Sequence, residues 1–204
     1  MIIQEAFRNR KQLLANLAEN LQRDTIETLM GIKHIDRVVF RAKDETSFLR
    51  KAADPKKKYQ YPLIQIEDQV AGRIIVFFLE DIEIVIKALS KLFNDIESVR
   101  KEPSNEREFG YESHHLICMI PPQCEPHGWN SQADMPRTFE LQIRTLFMHA
   151  WAEPQHDAGY KPDLELPREI RREWAWAAAA AWGADQALQR VLNWYRTVSN
   201  TRKS

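Results

Sequence analysis

The sequence contains little of what marks the more specialised classes of protein. Its 204 residues include only two cysteines, Cys118 and Cys124, and six glycines. Two cysteines cannot build a disulfide framework, which favours a reducing compartment. No stretch approaches the roughly 18 apolar residues that a membrane span needs, and the N-terminus has no continuous apolar segment typical of a signal peptide. The sequence therefore predicts a cytoplasmic protein without membrane contact.

An excess of one charge is absent as well. Lys and Arg number 29 and Asp and Glu also number 29, so the overall charge gives no argument for nucleic-acid binding. Hydrophobic residues make up 44% of the chain and charged residues 28%, as in an ordinary globular protein with a sizeable core. A glycine-rich phosphate-binding loop is also missing.

The apolar periodicity predicts a single α+β domain over residues 1–204. Helices are predicted at 2–30, 45–53 and 168–198, and a further helix is predicted to begin with Asp81 as its cap. Strands are predicted at 38–41, 72–79, 115–120 and 138–144. The segments 100–110 and 121–136 are predicted loops. We expect an N-terminal helical part at 1–35, a core at 36–161 and C-terminal helices at 162–204.

The segment Phe139–Thr145, F-E-L-Q-I-R-T, carries the clearest functional signal. Side chains alternate between the two faces of a strand, so Glu140, Gln142 and Arg144 share one face and the apolar residues share the other. A carboxylate, an amide and a guanidinium in register suit a polar site for a charged ligand. The competing interpretation is a half-exposed edge strand with a solvated face.

A second polar group lies at a predicted strand-to-helix junction. Residues 41–51 contain Arg41, Lys43, Ser47, Arg50 and Lys51. If the helix begins near residue 46, its free N–H groups face the same side as these cations, which suits an oligophosphate. The alternative is a solvated basic helix face.

Two further segments carry polar residues next to predicted strands. Asp68 precedes the strand that contains Arg73, and a carboxylate there is a natural Mg²⁺ ligand, with Glu140 as its pair. The segment 110–115, G-Y-E-S-H-H, places Tyr111 beside a glycine, where its ring could stack on a purine. The plainer interpretations are a turn residue for Asp68 and a packing aromatic for Tyr111.

A zinc site is a weaker hypothesis. His149, Glu153 and His156 are spaced i, i+4 and i+7, which would place them on one helix face. Pro154 interrupts that helix and no fourth ligand is apparent, so the spacing does not favour zinc.

Together these segments resemble the synthetase domain of the RelA/SpoT family, the ATP-dependent (p)ppGpp synthetases. The similar motifs keep the family's order: R-x-K-x-x-x-S-x-x-x-K at 41–51, D-x-x-x-x-R at 68–73, G-Y-x-S-x-H at 110–115, E-x-Q-I-R-T at 140–145 and H-A-W-A-E-x-x-H-D-x-x-Y-K at 149–161. One departure is the glycine that family members often carry at position 71, which here is Ala71 followed by Gly72. The resemblance is to the small, single-domain members.

The resemblance implies a mixed five-stranded sheet surrounded by helices, of nucleotidyltransferase-like type, with helical extensions at both ends. It implies Mg²⁺-dependent transfer of the pyrophosphate of ATP to the 3′-hydroxyl of GDP or GTP, with Asp68 and Glu140 holding the metal and Glu140 activating the hydroxyl. The implied ATP-binding residues are Arg41, Lys43, Ser47, Lys51 and Arg73. The implied acceptor-binding residues are Tyr111, His115, Gln142, Arg144, His149 and Lys161.

The resemblance leaves the acceptor and the partners open. Toxic members with the same core use adenine nucleotides or the 3′ end of tRNA, and a non-catalytic nucleotide-binding module is a further alternative. The terminal helices are the expected partner surface. If Trp174, Trp182 and Trp194 exceed what the core covers, they would form an apolar patch for a second copy or an antitoxin. Burial of these side chains on the sheet is the alternative.

Overall fold

The computed structural model describes residues 3–101, 103, 105, 108–110, 113–131, 134–154 and 166–201. Its helices are α1 (Ile3–Thr28), α2 (Glu45–Ala52), α3 (Pro62–Gln65), α4 (Leu79–Leu89), α5 (Leu146–Pro154) and α6 (Arg168–Thr201). Its strands are β1 (Ile35–Ala42), β2 (Val70–Val76), β3 (Asp95–Lys101), β4 (Ser113–Met119) and β5 (Thr138–Thr145). None of the described helices is long and apolar enough to cross a membrane.

The strands form one five-stranded sheet in the order β1-β2-β5-β4-β3. The pairing of β2 with β5 is parallel, and the other three pairings are antiparallel. The predicted α+β class and the implied mixed sheet are therefore confirmed. The F-E-L-Q-I-R-T segment is the central strand β5, so the interpretation as an edge strand is wrong.

One face of the sheet forms the core. Phe139, Leu141 and Ile143 of β5 are fully buried and belong to one cluster with Phe7 and Leu14 of α1. The predicted alternation of β5 is thus correct, since its apolar residues all point towards the helices. The opposite face of the sheet carries the polar residues of β5.

Three details of the prediction are corrected. Strand β3, D-I-E-S-V-R-K, was not predicted, because its charged side chains resemble those of a loop. Asp81 is the third residue of α4 rather than its N-cap, and its carboxylate accepts the backbone N–H of Phe78. The helix that begins at Glu45 is capped by Asp44, whose carboxylate accepts the N–H of Ser47 at 2.8 Å. That N–H is therefore not free for a phosphate.

Helix α6 packs its alanine-rich side on α5 and leaves large aromatic side chains exposed. Trp176 is 71% exposed and Trp194 is 60% exposed, and Trp182 also lies at the surface. Trp174 is only partly exposed, and its carbonyl accepts the indole N–H of Trp151 on α5. Full burial of the tryptophans on the sheet is therefore wrong for this helix. The partner that was expected to cover them stays a prediction.

Candidate active site

The polar side chains of β5 form a hydrogen-bonded row on the open face of the sheet. The amide of Gln142 donates to Glu140 Oε1 at 3.2 Å, and Gln142 Oε1 accepts from Arg144 Nη2 at 2.6 Å. Arg144 is only 5% exposed, and its Nε also donates to Ser113 Oγ at 3.2 Å. The row therefore has a fixed arrangement, with Arg144 as a buried support at one end and Glu140 at the other.

His115 of β4 lies directly against Glu140. The register pairs His115 with Gln142, so both side chains share the polar face, and the Nδ1 atom of His115 hydrogen-bonds Glu140 Oε1. His115 is only 8% exposed. A buried imidazole on one carboxylate oxygen fixes the orientation of that carboxylate. The residue predicted to contact the acceptor is thus also a partner of Glu140.

The carboxylate of Asp68 lies between two lysines. Its oxygens are 2.6 Å from Lys43 Nζ and 3.0 Å from Lys51 Nζ. Burial lowers the pKa of Lys51, but attraction to Asp68 and, more weakly, to Glu140 outweighs it and leaves that pKa above its ordinary value. The ammonium group of Lys51 is therefore close enough to both predicted metal ligands, Asp68 and Glu140, to be attracted to each.

Arg41 and Arg73, two of the predicted ATP-binding residues, are diagonal neighbours on β1 and β2. Arg41 pairs with Ala71, which lies two residues before Arg73 on the same face of β2. Diagonal neighbours in a sheet are about 7–8 Å apart, a distance that leaves room for a flat ring between two guanidinium planes. Ser47 lies nearby in the first turn of α2, where its hydroxyl accepts from Arg50 at 3.3 Å.

Helix α5 adds a carboxylate that sequence spacing had suggested only as a zinc ligand. Glu153 Oε1 is 2.8 Å from Arg73 Nη1, 3.7 Å from Arg144 Nη1 and 3.8 Å from His149 Nδ1. The contact of Glu153 with Arg73 joins α5 to β2, so sequence spacing could not have revealed it. Ser113 belongs to the motif at 110–115 but was assigned no role, because its contact with Arg144 joins two distant segments.

The electrostatic surroundings of His149 favour its neutral form. Burial lowers the pKa of His149, and the positive charges of Arg73, Arg144 and Arg37 lower it further, against the opposing effect of Glu153. A neutral imidazole can both accept and donate a hydrogen bond.

This shift predicts a pH dependence of stability. As the pH falls through the ordinary histidine pKa of about 6.5, His149 is protonated to a greater extent in the unfolded chain than in the folded chain, so the free energy of unfolding decreases. Urea unfolding at pH 7.5 and 5.5 should show a smaller decrease for His149→Gln than for the wild-type chain. Equal decreases would contradict the neutral assignment.

The remaining predicted site residues have different outcomes. Tyr111 and Lys161, and the zinc candidate His156, lie outside the described residues. Within the described part of the chain, no group of three or more His, Cys, Asp or Glu residues is arranged to hold a metal.

Both cysteines are buried, and burial raises the pKa of each thiol to about 12, so neither is an activated nucleophile.

The chain is similar to known proteins over this same region. The family described as "Region found in RelA / SpoT proteins" matches residues 40–165. GTP pyrophosphokinase YjbM of Bacillus subtilis is 31% identical over 162 residues, which cover 77% of this chain and 72% of the relative. GTP pyrophosphokinase YwaC of the same organism is 30% identical over 125 residues, or 60% of this chain and 56% of the relative.

Solved structures share the fold. Small alarmone synthetase 1 from Bacillus subtilis, bound to its product pppGpp, superposes with a TM-score of 0.66 at 26% identity, covering 92% of this chain and 93% of that chain. A GTP pyrophosphokinase family protein from Streptococcus pneumoniae gives a TM-score of 0.73 at 23% identity, with 97% of each chain covered. On the family match over residues 40–165 and the relative at 31% identity, this chain belongs to the RelA/SpoT family.

Proposed function

We propose that this protein transfers the β,γ-pyrophosphate of ATP to the 3′-hydroxyl of GDP or GTP and so makes (p)ppGpp. The observation that carries the proposal is the closeness of two clusters: Lys51, which pairs with Asp68, is also attracted to Glu140 of the row formed by Glu140, Gln142 and His115. A general base on β5 and a phosphate-binding cluster beside the sheet would thus lie next to each other. The names of the relatives YjbM and YwaC, GTP pyrophosphokinase, support the same reaction.

The ATP half of the site consists of cations on β1 and β2, in the turn after β1 and on α2. Lys43 and Lys51 hold the phosphates as point charges, with Ser47 as a hydrogen-bond donor. Arg41 and Arg73 stack on the two faces of the adenine. Asp68 keeps both ammonium groups in place before the nucleotide binds, since each lies within 3.0 Å of one of its oxygens. This arrangement places the triphosphate next to Glu140.

The donor set fits magnesium. Mg²⁺ prefers hard oxygen ligands and takes one or two protein carboxylates together with substrate phosphates, which Asp68 and Glu140 would supply. Two ammonium groups contact the Asp68 carboxylate, which shows that this carboxylate is ionised and can bind cations. When bound, the metal would neutralise the phosphate charge that develops during transfer.

The transfer itself requires alignment and one proton acceptor. The 3′-oxygen of the acceptor attacks the β-phosphorus of ATP. The bond from that phosphorus to the α,β-bridging oxygen breaks, and this oxygen leaves as part of AMP. The hydroxyl proton passes to Glu140, whose orientation His115 and Gln142 fix. Tyr111 stacks on the acceptor base, His149 and Lys161 line the rest of the acceptor site, and the buried Arg144 supports this site through Gln142.

A transfer assay with labelled ATP tests the proposal. Purified protein with Mg²⁺ and γ-labelled ATP is supplied separately with GDP, GTP, AMP, ADP, ATP and deacylated tRNA, and the products are separated by thin-layer chromatography. We expect the label on GDP or GTP. Label on adenine nucleotides or tRNA would identify a toxic variant of the same core. Binding of nucleotides without transfer to any acceptor would leave a non-catalytic nucleotide-binding module.

A further inference from the structure

Glu153 forms an ion pair with Arg73, one of the two arginines proposed to stack on the adenine. Its Oε1 atom is 2.8 Å from the Nη1 atom of Arg73. Guanidinium groups form ion pairs through their nitrogen atoms and stack through their faces. An ion pair through one terminal nitrogen therefore restricts the position of the guanidinium group and is compatible with stacking.

Glu153 is also the carboxylate at the centre of a cationic cluster. Arg73, Arg144 and His149 all lie within 4 Å of its Oε1 atom, at 2.8, 3.7 and 3.8 Å. The Nε atom of Arg73 is buried without a hydrogen-bond partner, so Glu153 provides the side-chain ion pair that orients this arginine. Without the carboxylate, repulsion between Arg73 and Arg144 would favour other rotamers of Arg73.

We propose that Glu153 is a positioning residue for ATP: its ion pair holds the guanidinium group of Arg73 in the position from which this group stacks on the adenine. The inference rests on the proposed ATP-binding role of Arg73. It predicts that Glu153 acts mainly on ATP affinity, because its contact with Arg73, at 2.8 Å, is shorter than its contacts with Arg144 and His149 of the acceptor side, at 3.7 and 3.8 Å. Glu153 is 46% exposed on its side chain, so its removal should not disturb the core.

The test compares Glu153→Ala and Glu153→Gln with the wild-type chain. Isothermal titration calorimetry measures the binding of a non-hydrolysable ATP analogue and, separately, of GDP. For Glu153→Ala we expect the Kd of the ATP analogue and the KM for ATP to rise about three- to tenfold, as for a partly exposed charged pair. The Kd of GDP and the kcat at saturating ATP should stay within about twofold. Glu153→Gln keeps a hydrogen-bond acceptor, so its Kd for the ATP analogue should lie between those of the wild-type chain and Glu153→Ala.

A matched control separates this effect from the loss of a surface charge. Glu83 lies exposed on α4, so Glu83→Ala removes the same group from another helix. It should bind both nucleotides as the wild-type chain does. Unchanged or tighter binding of the ATP analogue by Glu153→Ala would overturn the inference, and so would an equal loss of GDP affinity.

The proposed function can fail independently of this inference. If the wild-type chain binds the ATP analogue but transfers no pyrophosphate, the proposed reaction is wrong, and the binding comparison still decides the role of Glu153. If the wild-type chain binds no ATP analogue, both the ATP-binding role of Arg73 and the role of Glu153 are overturned.

Discussion

Replacing Glu140 with glutamine is expected to lower pyrophosphate transfer by about 10³-fold, within the range typical of a lost general base. Glutamine has the size of glutamate and can still contact His115 and Gln142, so the row on β5 should persist. The substitution removes the negative charge that would accept the hydroxyl proton and hold Mg²⁺. The loss should therefore appear in kcat, and binding of the ATP analogue without metal should change little.

The measurement is the labelled-ATP transfer assay with GDP or GTP at saturating concentrations. Glu97 provides the matched control, because it is an exposed glutamate on the same open face of the sheet, on β3. Glu97→Gln should retain full activity. If Glu140→Gln kept more than about a tenth of the wild-type rate while folded, Glu140 could not be the base.

The part of the site that lies within single strands could be predicted from the sequence. The alternation of β5 depends only on local backbone geometry, so the shared face of Glu140, Gln142 and Arg144 followed from their spacing. The strand-to-helix junction at Lys43 was likewise predicted from local propensity. What these segments could not reveal was that β5 is central and lies parallel to β2.

The contacts between distant segments were beyond sequence reasoning. Glu153 reaches Arg73 across 80 positions, and His115 reaches Glu140 across 25 positions, so neither pairing has a local signal. Strand β3 was missed because an edge strand with a solvated face has the composition of a loop. The resemblance to the family implied which residues bind ATP, metal and acceptor. The contacts among these residues became visible only in the fold.

Gly72 of β2 lies at a point where the core has no room for a side chain. Relative to the pattern common in the family, the glycine of β2 is shifted by one residue, to Gly72, and a shift of one moves it to the other face of the strand. Ala71 pairs with Glu140 on the polar face, whereas Gly72 pairs with Phe40 and lies on the core face. The ring of Phe40 fills the space that a side chain at position 72 would need.

Gly72→Ala is therefore expected to destabilise the protein by about 2–3 kcal/mol, the typical cost of overpacking. A Cβ atom at this position would lie 2.5 Å from two ring carbons of Phe40 and 2.9 Å from Leu141 Cδ1. Neither neighbour can move easily, since Phe40 is buried against Phe139 and Leu141 is fully buried. Urea unfolding of the variant and the wild-type chain measures the difference.

Two further variants decide whether overpacking is the cause. Phe40→Leu removes the ring from the clash, so Gly72→Ala should cost less in the Phe40→Leu background than alone, and the two effects should not add. A Cβ atom added at Gly183 in α6 would meet no neighbouring described atom within 4 Å, so Gly183→Ala should stabilise the chain by about 0.5–1 kcal/mol. If Gly72→Ala cost as much with leucine at position 40 as with phenylalanine, the clash with the ring would not be the cause. Opposite signs for the same substitution at the two glycines would show that local packing at β2, and not the loss of glycine as such, causes the decrease in the free energy of unfolding.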